Sequence, residues 1–584
     1  MKKIILLLFV TCSLLAQSNA GKSFHFALSR IPWEKESHVY VSIFSQHVTS
    51  GTLKCAAFDF EKRFALKPGE VTTIEIPRKI LVDTNERITN KSISVQASSP
   101  VVVTVFNNQE YGSDAFLALP DENLGKEYMA MCYPGDLPAF LMLVSKEDNT
   151  KIEIYPPPSK SEPPHSIRLN KGEVYLYKSL PMGDLTGTYV KSSKPISMMS
   201  GNLGAFIPQS NFCCANHLVE MLPPIKQWGK LFYTSPLAMK KNGDVFKILA
   251  CENATTIYLD EDSITVLSRG QYYETMLPSD RGSVISSNNK ILVAQFSTSA
   301  QFDSSTSTDP FMVLVQPYEQ YQKDYSFIVP QKITYENNFV NIAVRTAGIT
   351  SLRLNENILS KSDFKRINNE FSFGTIPIRP GGYKIYSNDN YPFGINVYGY
   401  DDFDAYGYIG GTALGEHYCE KLTRERFLLG AVLSYPFSYG LKFELGYERY
   451  GFLFSYIYFP EVGVLDGTPP PDSLTKQNFL HSFLVSTNYT FPITCNFNAF
   501  IGPYFSVAKR TWEHIVEDKG HLKGSFFEYY FGAHGGLKFY VTNRIVLEAA
   551  LSVGVQTTHR FSDEQFDGFK PCFYPVFVIN YQFF

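Results

Sequence analysis

Residues 441–450 read LKFELGYERY. Side chains of an extended chain alternate between two faces. Leu441, Phe443, Leu445 and Tyr447 therefore share one face, and Lys442, Glu444, Gly446 and Glu448 the other. The same alternation returns in 545–556, where Leu547, Ala549, Leu551 and Val553 oppose Glu548 and Ser552, and in 531–541, where Phe531, Ala533, Leu537 and Phe539 oppose His534 and Lys538. Segments 427–434, 452–459, 479–491, 495–507 and 573–584 complete a set of eight. Strands of about ten residues are long enough to cross a bilayer at a tilt. Connections alternate as well: 448–451, 492–494 and 542–544 are tight, while 460–477, 509–523 and 557–570 are long and polar. Residues 435–440 are the exception, a short connection where a long one belongs. This asymmetry predicts a small eight-stranded antiparallel transmembrane β-barrel over 426–584. Lys442, Glu444, Glu448, His534, Lys538 and Glu548 would face its lumen, paired with one another because unpaired buried charge is costly. A lumen of eight strands is filled by side chains, so no transport role is assigned.

Composition supports a boundary near residue 420. Of the 87 aromatic residues (47 Phe, 37 Tyr and 3 Trp), 38 fall in the 167 positions 418–584 and 48 in the 397 positions 21–417. Phe and Tyr crowd strand ends, as an interfacial girdle requires. The whole chain has 584 residues, 44% apolar and 19% charged, which excludes a largely disordered chain and implies several domains. A net charge of −3 provides no basic field for nucleic acid.

The chain begins with Lys2 and Lys3, an apolar run from Ile4 to Leu15, and Ser18-Asn19-Ala20. This is the order of a cleaved export signal over residues 1–20. Export permits disulfides, yet the 9 Cys form no CxxC pair, and Cys213 and Cys214 are adjacent, which disfavours a bridge between them.

Between residues 24 and 411 one pattern returns about every hundred residues. Its first element is VYVSIFSQHVTSGTLKCAAFDF from Val39, FLMLVSKEDNTKIEIYP from Phe140, VFKILACENATTIYLDE from Val245 and FVNIAVRTAGITSLRLNE from Phe339. A turn follows in LKPGEVTTIEIP, LNKGEVYLYKS, LSRGQYYETML and IRPGGYKIYS, which aligns Gly69, Gly172, Gly270 and Gly381 at a position calling for positive φ. The third element, ISVQASSPVVVTVFN, TYVKSSKPISMMSGN, SVISSNNKILVAQFS and the weaker NYPFGINVYGY, reads as two strands flanking a Ser-Ser or Ser-Asn turn. Short strands at this spacing predict tandem β-sandwich-like repeats, or a propeller-like ring, over 21–411. Units start near 24, 115, 218 and 311, and residues 412–425 link them to the barrel.

These motifs, with the terminal YGYDDFDAYGYIGG, resemble the IgGFc-binding protein N-terminal domain family over roughly residues 24–411. The resemblance implies a non-catalytic binding or adhesive module. No GxSxG, HExxH, P-loop or GxGxxG stands in a supporting context, so the sequence offers no enzyme, cofactor or metal site. Asp260-Glu261-Asp262 and the Asp401–Asp404 cluster read as solvated turns. Tyr398, Tyr400, Asp401, Asp402, Asp404, Tyr406 and Tyr408 are the candidate binding loop. The expected partners are the lipid bilayer, through the barrel, and a protein or glycan ligand; nucleic acid is excluded. Eight strands bring both barrel ends to one side, which predicts an outer-membrane protein with a periplasmic repeat region, the cell surface being the alternative.

Overall fold

The computed structural model describes residues 19–31, 37–109, 112–160, 162–209, 214–333, 335–412, 426–434, 438–447, 450–459, 474–494, 497–516, 520–540, 545–559 and 566–582. The export signal (all but Asn19 and Ala20), the linker (all but Thr412), Glu448 and Cys213 lie outside them. The chain is all-β and divides into two compact units, the repeats and the barrel.

The first three repeats are each built on one long strand. In the first copy Ile93–Gln109 pairs with Gly21–Phe26 and Thr49–Cys55 through its first half, and with Ser37–Phe44 and Gly112–Leu117 through its second. Tyr189–Ala205 and Val284–Phe296 repeat this hand-over from one set of neighbouring strands to another. The Ser-Ser segment is thus not a turn between two strands but the crossing point of one. A residue there has left one ladder and not yet joined the next, so Pro100 and Pro195 remove no ladder hydrogen bond. The polar side chains cap a neighbour instead: Ser98 Oγ accepts from Ser50 N (3.0 Å), Ser193 Oγ from Lys151 N (2.9 Å) and Asn288 Oδ1 from Thr256 N (2.8 Å). Only the fourth copy breaks the strand, into Gly381–Ser387 and Phe393–Asp401.

Three turns are superimposable in detail. Gly69, Gly172 and Gly270 have φ of 83°, 81° and 79°. Their amides donate to Ser45, Ser145 and Ala250 carbonyls, each at 2.8 Å. Glu70, Glu173 and Gln271 accept from the amides of Lys67, Asn170 and Ser268. Gly381 does not belong with them. It pairs with Val329 as Ile93 pairs with Phe26, so it opens the long strand, at φ 153°. The fourth turn is built on Asn368, whose Oδ1 accepts from Glu370 N and Phe371 N. An Asn side chain that satisfies the turn amides removes the need for glycine, which is why a glycine-based alignment shifted the register.

The four copies close into a ring through one repeated contact, in which a residue one or two positions before a long strand, or the second residue of the last one, meets the next copy beside its turn. Ser92 Oγ donates to Gly172 O at 2.7 Å. Gly187 abuts Gly270, Gly282 abuts Ile367 and Phe373, and Gly382 abuts Phe44 and Val71. Two glycines make a paired test. A Cβ at Gly201 would collide with the Leu218 carbonyl, whereas one at Gly69 meets nothing within 4 Å. Gly201→Ala should cost about 3 kcal/mol or more, because backbone must move. Gly69→Ala should cost only about 1 kcal/mol, for its positive φ. Urea midpoints of the two variants read the difference.

In the C-terminal unit eight strands form a closed antiparallel barrel, from Arg426–Ser434 to Phe566–Gln582, which pair with each other. Three strands, Leu474–Thr494, Phe497–Val516 and Gly520–Tyr540, have 21, 20 and 21 residues, twice the expected length. At about 3.3 Å per residue each runs roughly 66 Å, far beyond a hydrocarbon layer of about 30 Å. The stretch 509–523, which reads as a polar loop, continues the ladder from Arg510↔Phe526 to Val516↔Gly520. Backbone pairing needs no apolar side chain, so hydropathy locates the belt but not the strand ends.

Candidate functional site

The inner strands Gly112–Leu117, Asn216–Met221, Met312–Leu314 and Asp404–Ile409, one per copy, converge on the ring axis. Strands meeting there present buried N–H groups turned away from their own ladders, and such groups need acceptors. Asp114 supplies them. Its Oδ1 accepts from Ala115 N (2.8 Å) and Gly407 N (3.1 Å), and its Oδ2 from Val219 N (2.9 Å) and Met312 N (3.3 Å). One carboxyl therefore ties all four copies. Glu220 Oε1 joins three copies in the next layer, accepting from Leu314 N (3.2 Å) and Ile409 N (3.3 Å), and its Oε2 has no hydrogen-bond partner. Burial holds both carboxyls well above the usual carboxylate range, the Asp114 charge adding to the shift of Glu220.

The tyrosines of the candidate binding loop belong to this hub and are not available as contacts. Tyr398, Tyr400, Tyr406 and Tyr408 are fully buried. Tyr398 Oη donates to Asn341 Oδ1 at 3.0 Å and Tyr406 Oη to Asn338 Oδ1 at 2.9 Å, while Tyr408 Oη bonds the Ile328 carbonyl and Tyr400 Oη lies 3.3 Å from Ser297 Oγ. Tyr-Gly alternation looks like an exposed aromatic turn in sequence. Here the hairpin is packed on both faces, with Gly407 against the Phe311 ring. Asp402 remains exposed, and Asp401 and Asp404 are half-buried.

Asp404 Oδ2 accepts from Ser113 Oγ (2.9 Å), Asn108 Nδ2 (3.3 Å) and Tyr335 Oη (3.4 Å), and burial pushes its carboxyl up to about 7. The folded state thus keeps a proton that an unfolded Asp loses near pH 4. Stability from this group is present at low pH and declines as pH rises from about 4 to 7. Asp404→Asn should flatten that part of the pH–stability curve, read by urea unfolding at pH 5 and 8; an unchanged slope counts against the assignment.

Two buried lysines pin the ring elsewhere. Lys240 pairs with Asp303 at 2.7 Å, both side chains fully buried. Lys247 pairs with Asp184 at 2.8 Å between the Tyr133 and Tyr272 rings, 4.7 and 4.3 Å from their centroids. Sequence reasoning missed Asp114, Glu220 and Lys247. The usable signal was a lone charge inside an otherwise apolar strand, as in VFKILA, which must find a buried partner. Asp260 and Glu261 form a hairpin turn at φ 49° and 78° between strands closed by Leu259↔Asp262. Among the described residues no three His, Cys, Asp or Glu gather as a metal site. Cys55, Cys132 and Cys251 are buried thiols, and Cys214 is disulfide-bonded.

In the barrel Lys442, His534, Lys538 and Glu548 are buried. Lys442 Nζ meets Glu548 Oε2, Lys538 Nζ lies 3.9 Å from the same oxygen, and the Phe500 ring sits 5.0 Å from Lys538 Nζ and 5.3 Å from the His534 ring. The alternate positions point out: Leu441 is 62% exposed and Leu445 49%, with Phe483, Ile501, Phe531, Leu547 and Leu551 also exposed.

Residues 114–399 match the model of the IgGFc binding protein family. No curated protein matches the chain. Among solved structures, the crystal structure of Neisserial surface protein A matches at 13% identity over 27% of this chain and 94% of that one, with a TM-score of 0.19, which carries no structural argument.

Proposed function

We propose, from the premise that residues 114–399 are an IgGFc binding protein family domain, that this chain is a non-enzymatic binding or adhesion protein anchored in an outer membrane, whose ring recognises a protein or glycan partner. One observation carries the membrane reading. A closed barrel keeps its ions inside and turns a belt of Leu, Ile, Val and Phe outward. A belt of that extent is costly in water and stable in lipid. Heat-modifiable migration of the full chain in detergent tests it; a chain whose migration ignores heating has no such barrel.

A second reading, a periplasmic scaffold tethering the outer membrane to the cell wall or to a partner complex, is favoured by strand number. With eight strands the chain enters at Arg426 and ends beside it, Gln582 pairing with Leu428. The strand ends Tyr447 and Tyr450, Thr494 and Phe497, and Tyr540 and Ile545 lie at that same end. In outer-membrane barrels short turns face the periplasm. Protease added to intact cells separates the two: cleavage within 21–411 supports surface adhesion, and protection until the outer membrane is opened supports the scaffold.

A further inference from the structure

We infer that Lys240 and Asp303 condense into an amide, an isopeptide bond that fastens the third copy of the ring. Lys240 stands in the connection leading to Asp244–Ala250, and Asp303 in the connection from Val284–Phe296 to the inner strand Met312–Leu314. Lys240 Nζ lies 2.7 Å from Asp303 Oδ2, and neither side chain has exposed surface. Nζ is therefore at most about 4 Å from Cγ, which lies one C–O bond of about 1.2 Å beyond the oxygen. Groups held this close need no encounter step, and reacting atoms meet at about 3–3.5 Å. Burial also sets the direction. In water an ammonium and a carboxylate are both hydrated and persist as ions. A dry site strips that hydration from both, whereas an amide has no charge to desolvate. The pair Lys247–Asp184 differs on this point, because the Asp184 side chain is 18% exposed.

The groups around the pair fit an amide. Asp303 Oδ1 accepts from Lys241 N and Asn242 N, each at 3.0 Å. Two backbone donors thus polarise the carbonyl and hold the negative charge that attack places on it. Lys240 Nζ donates to Thr298 O at 2.6 Å, an acceptor that suits the single N–H of the product. Thr298 Oγ1 donates to Asp303 Oδ2, the oxygen that leaves, at 2.7 Å. The proton carrier is Asp244. It lies in the field of both charges, burial pushes its carboxyl up to about 6, and its buried Oδ1 has no hydrogen-bond partner. Burial draws the Lys240 ammonium below the usual lysine range, against the pull of Asp303. Nζ passes a proton to Asp244, and its freed electron pair bonds to Asp303 Cγ. Asp244 returns that proton to Oδ2, a second proton follows from Nζ, the Cγ–Oδ2 bond breaks and one water departs. Ammonium and carboxylate give amide and water, with no other reactant. The bond lies within one chain and depends on neither the membrane reading nor a partner.

The test is a tryptic digest of the full chain, purified in detergent, then denatured and reduced, and read by mass spectrometry. Trypsin does not cut after an acylated lysine. Residues 231–241 and 291–323 should therefore appear as one linked species, lighter by one water than the two peptides together. Lys240→Arg should release the two peptides unlinked. Asp244→Asn keeps an oxygen for Leu237 N and Gln295 Nε2, so its ring should stay resistant to limited proteolysis while the linked fraction falls at least tenfold. A native chain that yields only unlinked Leu231–Lys240 overturns the proposal, and so does a linked species that persists in Lys240→Arg. Undiminished linkage in a folded Asp244→Asn overturns the assignment of the proton carrier.

Discussion

Asp114→Ala should abolish the folded ring while leaving the barrel intact. The substitution strips acceptors from the amides of Ala115, Val219, Met312 and Gly407, which come from all four inner strands. An orphaned buried N–H costs about 1–3 kcal/mol, so four of them reach about 4 kcal/mol at the low end. That is a large part of the roughly 5–15 kcal/mol by which a domain is stable. Asp114→Asn keeps one acceptor oxygen but turns an NH₂ toward amides that need an acceptor, so it should be intermediate. Limited proteolysis of the full chain in detergent reads the ring, and heat-modifiable migration serves as the control for the barrel. A resistant, native-like ring in Asp114→Ala would mean that water or backbone rearrangement satisfies the hub.

The second large effect is expected at Glu548. Its carboxylate is shared by Lys442 and Lys538, all three side chains being at most 2% exposed. Glu548→Gln keeps the shape and removes the charge, so two ammonium groups remain buried without it. Breaking a buried ion pair from one side costs about 3–5 kcal/mol. The urea midpoint for loss of the heat-modifiable form should fall accordingly, and Lys442→Met in the same chain should recover part of the loss. Full stability of the single variant would show that water reaches the barrel interior.

Much of the site depends on contacts that periodicity does not encode. Alternation in LKFELGYERY and in 545–556 separates Lys442 and Glu548 from Leu441, Leu445 and Leu547, because which face a strand residue takes is local. The αL turns at Gly69, Gly172 and Gly270 were legible for the same reason: a tight turn needs its own glycine. The fourth turn was misread because Asn368 solves that problem with a side chain, and a strong local signal, RPGG, occurs elsewhere. The tyrosines of 398–408 were misplaced because composition cannot tell a Tyr-rich surface turn from a Tyr-rich hairpin packed on both faces.

The sequence by itself determined that this chain is β throughout, that it repeats about every hundred residues before residue 411, and that the last 160 residues are patterned for a barrel. Each follows from spacing along the chain. Only the tertiary structure decided that the repeats close into a ring and that Asp114 and Glu220 hold its axis. Those depend on groups far apart in sequence arriving at one place, where buried amides demand an acceptor.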